Sequence, residues 1–328
     1  MRTAPAALVA ALCAAPAAGQ THILVVSGLT GEARFEATFH ETATTILEAA
    51  HDRFAVPATH MTYLAATPAT DPARIAGRST KDEVLRVLEA LAAGAEPDAL
   101  IVIVLIGHGS ASGGDDRLNL PGPDLSAEEF AAALGKFPTQ RLVVVNAASA
   151  SGGWIPALSG DRRTIITATR SATERHESYF GKYFAQAFAS DGADTDKNDR
   201  ISLLEVFEYA RQEVQRYYEG ERRMLTEHAL LDDNGDGAGS LEPDPTTGDG
   251  AVARQIFLDQ AARRGPVADS ALAALQQRQD SLQTLVTALR GRKDTMPEAA
   301  YQRELERLLL DVARIGRQIR QRSEAGRR

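Results

Sequence analysis

The sequence predicts an α/β protein with a mostly parallel sheet, covered by helices on both faces and followed by a C-terminal antiparallel helical hairpin. Two observations lead to this fold class. Short runs of apolar, mostly branched residues alternate with amphipathic stretches along most of the chain, which is typical of parallel strands joined by helices. After Pro266 the apolar residues instead recur every three or four positions, as they do along the seam between paired helices.

Five apolar runs are predicted to be strands of the sheet: His22–Ser27, Met61–Leu64, Leu100–Ile106, Arg141–Asn146 and Thr164–Ala168. The third of these runs has no polar residue, so only a sheet covered on both faces can bury it. Helices are expected between the strands. Ser79 and Thr80, with Asp82 and Glu83 three residues later, are capping-box candidates for one helix, and Ser126 with Glu129 caps another.

The first 19 residues have the layout of a secretory signal peptide. Arg2 precedes an apolar run at positions 6–15, and small residues follow up to Gly19. The run is too short to span a bilayer, and we predict no transmembrane segment elsewhere. The alternative is a buried N-terminal helix. Cleavage near Gly19 predicts an exported protein, periplasmic or secreted, that has lost its single cysteine, Cys13.

Composition limits the classes of partner and of chemistry. The chain has 36 Lys and Arg residues against 44 Asp and Glu, a formal charge of −8. We therefore expect no nucleic-acid partner, because nucleic-acid binders carry a basic surface. A mature chain without cysteine forms no disulfide, no thiolate zinc site and no cysteine nucleophile. The acidic residues are concentrated between Asp191 and Asp249, where 16 of them accompany 6 basic residues.

Two predicted strands end in residues that are suited to catalysis. His108 and Gly109 follow the strand Leu100–Ile106, and Ser149 follows the strand Arg141–Asn146. Ligands of parallel α/β sheets gather at the carboxyl ends of the strands, so these residues would meet if the strands are neighbours. The backbone N–H groups of Gly109 and Ser149 would then be candidate oxyanion donors. The alternatives are a structural histidine and a tight turn of small residues.

The order of the motifs along the chain is distinctive. One strand ends in His-Gly-Ser at 108–110, and a later strand ends in Ala-Ala-Ser-Ala-Ser-Gly at 147–152. A further strand and its helix follow at 167–170 and 180–188. Over about residues 22–220 the chain thus resembles the caspase/legumain clan of cysteine peptidases, and in particular bacterial legumain-like homologues, whose nucleophile block reads Glu-Ala-Cys-Glu-Ser-Gly. The resemblance implies a caspase-like fold, with His108 and Ser149 at the positions of the catalytic dyad and Gly109 as an oxyanion donor.

The resemblance also implies a substrate cleft at this edge of the sheet. We assign to the cleft Ser110, Ser151, Gly152 and Trp154. For Trp154, packing in the core is the alternative. A peptide or protein partner would bind in this cleft.

Ser149 stands where the clan has its cysteine. A thiol is a few per cent ionised at neutral pH, whereas a serine hydroxyl needs an oriented imidazole within hydrogen-bond reach. Asp115 and Asp116 follow His108, but we expect them to be solvated in a glycine-rich loop. The sequence therefore predicts an exported pseudo-peptidase that serves as a binding or scaffold module. The alternative is an active peptidase or acyl hydrolase that uses Ser149 with His108.

The segment 194–205 resembles an EF-hand calcium loop. Side-chain oxygens at positions one, three and five come from Asp194, Asp196 and Asn198. Arg200 would supply a backbone carbonyl at position seven, and Glu205 is the bidentate twelfth ligand. The predicted function requires no cofactor, and Ca²⁺ is the candidate ion. The alternative is an acidic N-cap of the next helix without an ion.

A second acidic loop, at 232–237, repeats the first half of this pattern. Its candidate ligands are Asp232, Asn234 and Asp236. The twelfth position is Pro243, so no standard EF hand closes there. An irregular calcium loop and a plain Asp/Asn/Gly turn are the two interpretations.

The last part of the chain is predicted to be a coiled-coil-like helical hairpin. Residues Tyr301, Leu305, Leu308, Val312, Ile315 and Ile319 step by four and three, and leucines at 275, 282 and 289 form a matching row. The seam either packs the hairpin, on itself or onto the main domain, or engages a partner. The chain then has four parts: a signal peptide (1–19), the caspase/legumain-like α/β domain (20–220), an acidic calcium-loop-like segment with a connecting helix (221–265) and the hairpin (266–328).

Overall fold

The computed structural model describes residues 20–112, 115–197, 200–246, 248–258, 271, 274–275, 278–279, 281–282, 285–286, 289 and 296–326. The predicted signal peptide with Cys13, the candidate ligand Asn198 and most of the predicted hairpin turn at 291–297 lie outside these residues. Among the described residues, no helix combines the length and the apolarity that crossing a membrane requires.

The described residues form ten strands: β1 (Thr21–Ser27), β2 (Met61–Ala65), β3 (Gly77–Arg78), β4 (Leu100–Ile106), β5 (Gly109–Ser112), β6 (Asp115–Leu118), β7 (Leu125–Ser126), β8 (Arg141–Asn146), β9 (Arg163–Thr167) and β10 (Leu230–Asp232). Seven of them form one sheet in the order β10-β9-β8-β4-β1-β2-β3, in which only β9 and β10 pair antiparallel. The predicted mostly parallel sheet is confirmed. Each strand that an apolar run predicted is present, within one residue at either end.

Helices cover both faces of this sheet: α1 (Ala33–Asp52), α2 (Lys81–Gly94), α3 (Ala127–Leu134), α4 (Trp154–Leu158), α5 (Phe180–Ala189) and α6 (Leu203–Gly220). Along β4, Val102 and Val104 face a core that includes α1, α5 and α6. Ile101 and Ile103 face a second core that includes α2, α3 and α4. Burial on both faces is the reason that this strand is apolar throughout.

The sheet extends past residue 220, where the predicted α/β domain ends. β10 forms its edge, and Leu231, Ile256 and Leu258 lie in the same buried core as α5 and α6. The acidic segment is therefore built into the α/β domain rather than appended to it. The sequence does not predict this packing, because the segment is acidic and the apolar residues that anchor it are few and widely spaced.

A small antiparallel sheet of β5, β6 and β7 follows β4. It contains Asp115 and Asp116, which the sequence analysis expects in a solvated loop. Asp115 forms an ion pair with Arg117, and Asp116 is half-buried. Strands of two to four residues are too short for an alternating pattern, so no pattern in the sequence predicts them.

The predicted helix caps are present. Thr80 Oγ1 accepts a hydrogen bond from the backbone N of Glu83. Ser126 and Glu129 form a reciprocal capping box at the start of α3. Ser202 and Glu205 form the same box at the start of α6, which gives Glu205 a structural role besides any role as a ligand.

The C-terminal helix, α7 (Glu298–Gly326), packs against the segment that precedes it. Tyr301 and Leu308 of the predicted seam are buried together with Val286 and Leu289. Within the described part of the chain, this cluster shares no member with the two cores of the sheet. The arrangement favours the interpretation in which the seam packs the hairpin on itself.

Two histidines stack at the amino end of β1. The ring centroids of His22 and His60 are 4.3 Å apart, and the ring planes are inclined by 21°. His22 Nε2 and His60 Nδ1 are buried, and neither has a hydrogen-bond partner among the described residues. Burial lowers the pKa of His22 below its ordinary value, His60 lowers it further, and Glu96 partly opposes this. Protonation of His22 is therefore unfavourable in the folded protein.

We expect acid to destabilise the fold through His22. Its pKa is lower in the folded than in the unfolded chain, so the unfolded chain binds the proton more readily. The contribution of neutral His22 to the free energy of unfolding is then fully present above about pH 6.5, the pKa of histidine in the unfolded chain. This contribution falls as the pH drops below that value. His22→Phe keeps a ring for stacking and removes the titration. Between about pH 7 and pH 5, the melting temperature of this variant should fall less than that of the wild type.

The exposed His176 offers a matched control for this experiment. His176→Phe should show the same acid shift of the melting temperature as the wild type. An equal acid shift in the wild type and in His22→Phe would contradict the role of the stacked pair.

Candidate functional site

Three neighbouring strands position the candidate site. β1 pairs with β4 and β4 pairs with β8, all in parallel, with Leu105 opposite Asn146. His108 is the second residue after β4, and Ser149 is the third residue after β8. Both residues therefore follow the carboxyl ends of adjacent strands, where ligands of parallel α/β sheets bind.

Gly109 and Ser149 are in direct contact. The backbone N of Gly109 donates a hydrogen bond to Ser149 Oγ at 3.3 Å. A Cβ atom on residue 109 would lie 2.2 Å from the carbonyl oxygen of Ser149, so only glycine fits there. The N–H group predicted to bind an oxyanion thus donates instead to the hydroxyl of Ser149, the predicted nucleophile.

The turn that carries Ser149 is buried and strained. Ser149 has 3% of its surface exposed. The next residue, Ala150, has a φ of 52°, a conformation that costs a residue other than glycine about 1–3 kcal/mol. The backbone N of Ala150 donates to the carbonyl oxygen of Glu174, 2.7 Å away in the loop after β9. Contacts with the surrounding chain therefore hold the turn in this conformation.

Ser151 and Gly152 attach this turn to the end of β9. Ser151 is 1% exposed, and its Oγ accepts hydrogen bonds from the backbone N of Ala168 and of Thr169. The backbone N of Ser151 and of Gly152 both donate to Thr169 Oγ1. A Cβ atom on residue 152 would lie 2.1 Å from the carbonyl carbon of Arg170. Ser151 and Gly152 thus have a structural role in this turn, and their assignment to a substrate cleft stays a prediction.

Trp154 and Ser110 complete the predicted cleft set. Trp154 is 1% exposed and packs against Phe130 with the ring centroids 5.5 Å apart, which agrees with the core-packing alternative. Ser110 is half-buried, and its Oγ donates to Asn119 Oδ1 at 2.8 Å. Of the four predicted cleft residues, only Ser110 is partly accessible to solvent.

His108 lies against aromatic rings. Its ring centroid is 4.6 Å from that of Phe35 and 5.4 Å from that of Phe39, both in edge-to-face geometry. In the described part of the chain, the ring nitrogens of His108 form no hydrogen bond. Packing therefore fixes the imidazole plane, whereas serine hydrolases use a carboxylate for this purpose.

The two nearby acids do not supply that carboxylate. Asp115 is paired with Arg117. The carboxylate of Asp116 lies against Gly153, close enough to exclude a Cβ atom there. Burial raises the pKa of Asp116 above its ordinary value, and the neighbouring Asp115 adds to the effect. Among the described residues, neither carboxylate is hydrogen-bonded to His108.

The first predicted calcium loop brings three carboxylates together. Asp194, Asp196 and Glu205 each offer an oxygen within 4.8 Å of the others. Ca²⁺ binds oxygens at about 2.3–2.6 Å, so two oxygens on opposite sides of one ion lie about 5 Å apart. Glu205 is buried, and its two oxygens accept hydrogen bonds from the backbone N of Thr195 and of Ser202. This spacing is compatible with a single ion.

The side chain of Arg200 is used elsewhere. Its guanidinium carbon lies 3.4 Å from the ring centroid of Phe257. Only its backbone carbonyl remains as the ligand that the loop pattern predicts. The other predicted ligand, Asn198, is outside the described residues.

The second acidic loop is closed by its own hydrogen bonds. The carboxylate of Asp232 accepts from the backbone N of Gly235 and of Gly237. Asn234 Oδ1 and Asp236 Oδ1 each accept from the backbone N two residues on. Where the chain is described, no cluster of three acidic or histidine ligands includes this loop. The turn interpretation therefore accounts for Asp232, Asn234 and Asp236 without an ion.

Glu174 contacts the turn that carries Ser149, although no motif in the sequence indicates it. Its carboxylate accepts hydrogen bonds from the backbone N of Arg170 and of His228, and it lies 2.6 Å from His228 Nδ1. Its carbonyl oxygen accepts a hydrogen bond from the backbone N of Ala150. Glu174 stands in a polar stretch and is 54 residues away from His228, so no spacing in the sequence pointed to this pair.

Residues 82–229 match the model of the Peptidase C13 family. Among solved structures, the chain is similar to protein GSU0716 from Geobacter sulfurreducens, with 12% identity over 65% of this chain and 92% of that one and a TM-score of 0.37. It is also similar to caspase-1 from Spodoptera frugiperda, with 10% identity over 60% of this chain and 77% of that one and a TM-score of 0.35. None of the curated proteins gives a significant match.

The C13 match begins in α2 and ends just before β10, so it covers the central strands and both His108 and Ser149. The predicted resemblance depends on the order of the segments in this region. Residues 82–229 are thus similar to the Peptidase C13 family, in agreement with the predicted resemblance to the caspase/legumain clan.

Proposed function

We propose that this chain is an exported pseudo-peptidase, a C13-like homologue that binds a peptide or protein partner without cleaving it. The hydrogen bond from the backbone N of Gly109 to Ser149 Oγ carries the proposal. This N–H group would otherwise stabilise an oxyanion, and here it donates its hydrogen bond to the hydroxyl. In addition, His108 lacks, among the described residues, the carboxylate that holds a general base in one tautomer.

The alternative is an active hydrolase that uses Ser149 with His108. The contact between Gly109 and Ser149 favours it, because the two segments share one site. Activity would require hydroxyl and imidazole within about 2.6–3.2 Å and a substrate that reaches a serine with 3% exposure. A diverse peptide library decides between the two. Cleavage by the wild type that is lost in Ser149→Ala supports the hydrolase, and no cleavage supports the pseudo-peptidase.

A thiol at position 149 should gain the reactivity that the hydroxyl lacks. A thiol has a pKa of about 8.5 and supplies its own thiolate, and a protonated His108 would lower that pKa further. We expect a peptide electrophile to label Ser149→Cys but not the wild type. A pKa that is lower by about one unit raises the thiolate fraction at neutral pH almost tenfold but lowers the nucleophilicity of each thiolate, so His108→Ala should slow the reaction about threefold. The measurement is the rate of labelling as a function of pH.

Ser110→Cys is the matched control, because Ser110 follows the same strand and is half-buried. Its labelling should be insensitive to His108→Ala. An unreactive thiol at position 149, or the same pH profile with and without His108, would mean that the two residues do not share a site.

We also propose that the first acidic loop binds Ca²⁺. Asp194, Asp196 and Glu205 would provide the charged ligands, with Asn198 and the carbonyl of Arg200 completing the set. The support is the close approach of three carboxylates. Like charges at this separation repel one another, and a divalent cation removes that repulsion. The second acidic loop is left out of the proposal, because its oxygens accept hydrogen bonds from its own backbone.

Glu205→Gln tests the calcium proposal without breaking the helix cap. Glutamine also serves in a capping box, so the start of α6 is kept while one negative ligand is lost. Ca²⁺ should raise the melting temperature of the wild type, because it binds only the folded chain, and raise that of Glu205→Gln less. Glu129→Gln is the matched control, since Glu129 has the same place in the box of α3 on the opposite face of the sheet. Calorimetry that detects no heat from Ca²⁺ with the wild type would contradict the proposal.

A further inference from the structure

The α/β domain contains an apolar cavity that is separate from the candidate site. It has a volume of 370 Å³ and lies between α5, α6 and the segments that flank β10. Its apolar walls are formed by Ala168, Phe180, Val214, Leu225, Ala229 and Leu241. Small-molecule sites are typically concave, mostly apolar and about 300–1,000 Å³ in volume. Leu241 is 39% exposed, so the apolar lining reaches the surface.

A few polar side chains complete the lining: Arg211, Gln215, Glu227, His228 and Glu242. Three of them have partners outside the lining. Gln215 Nε2 donates a hydrogen bond to Glu219 Oε1 on the same helix. Glu227 accepts hydrogen bonds from the backbone N of Tyr179 and of Phe180 at the start of α5. His228 is paired with Glu174. Glu227 and His228 are therefore part of the scaffold of the cavity.

Arg211 differs, because part of its guanidinium group is buried without a partner. Its Nε atom is buried and has no hydrogen-bond acceptor among the described residues. The nearest carboxylate of the lining, that of Glu242, is 3.6 Å from Nη1, beyond an ordinary hydrogen bond. The side chain of Glu242 is 81% exposed, so solvent screens the pair. A buried donor without an acceptor is costly, and an acceptor in the cavity would remove this cost.

We propose that this cavity binds a small apolar carboxylic acid. The carboxylate would accept hydrogen bonds from Arg211, and the hydrocarbon part would cover the apolar walls. A carboxylate matches the guanidinium in charge and in its paired donors. Glu242 would turn into solvent from its exposed position. An uncharged or cationic ligand of the same shape would gain the apolar contacts but not the charged one.

The cavity is connected to the nucleophile turn by a short series of hydrogen bonds. His228 lines the cavity, and its imidazole is paired with the carboxylate of Glu174. The carbonyl oxygen of Glu174 accepts from the backbone N of Ala150, the residue after Ser149. The proposed ligand would thus contact His228, and Glu174, the partner of His228, also supports the turn that carries Ser149.

The experiment uses the mature full-length chain and straight-chain fatty acids from hexanoate to dodecanoate, titrated calorimetrically below their micelle concentrations. We expect saturable one-to-one binding of at least one acid. Hydrogen bonds to a charged group are strong enough that Arg211→Gln should weaken it about tenfold or more. The alcohol with the same chain length should bind the wild type more weakly than the acid by a similar factor.

Three variants make the result specific. Arg216→Gln is the matched control, because Arg216 is on the same helix but pairs with Glu213 and does not line the cavity. It should bind like the wild type. Glu242→Gln should bind at least as tightly, because it removes the competing carboxylate. Leu225→Trp should fill the cavity and abolish binding, with circular-dichroism melting curves to verify that each variant is folded.

Three outcomes would overturn the proposal: no binding across the series, equal binding of acid and alcohol, or an unchanged affinity in Arg211→Gln. Each is independent of the peptidase question, since neither Ser149 nor His108 lines this cavity.

Discussion

The contact between Gly109 and the backbone of Ser149 is the constraint on which the candidate site depends. It forms because β4 and β8 pair in parallel and end at the same level, and because residue 109 has no side chain. The same contact directs the N–H group of Gly109 to the serine hydroxyl. The packing that assembles the candidate site therefore also occupies the predicted oxyanion donor with the serine hydroxyl.

Carboxylates hold the second half of the domain together in a way that its composition does not suggest. A segment with far more acidic than basic residues would repel itself if the acids pointed into solvent. Instead, Glu205 and Glu227 accept hydrogen bonds from backbone N–H groups at the starts of α6 and α5. Asp233 accepts from the backbone N of Gly250 and of Ala253. Backbone donors thus compensate these buried charges.

The sequence predicted the parts of the structure that depend on burial and on local hydrogen bonds. The apolar run at 100–106 indicates a central strand, and Ser126 with Glu129 indicates a helix cap. Each of these signals is contained within a few consecutive residues. The structural roles of Ser151 and Glu174 could not be predicted from the sequence. Their partners, Thr169 and His228, are distant in the chain, and a buried serine in a turn has the same sequence signature as one in a cleft.

The positive φ of Ala150 also sets an order of assembly. A residue other than glycine does not adopt this conformation from local preference, so the turn needs partners from elsewhere in the chain. Those partners, Thr169 and Glu174, follow β9 and come into place only when β9 pairs with β8. The turn therefore forms late in folding, after the central strands. For the same reason, a change that loosens the pairing of β9 with β8 would also release this turn.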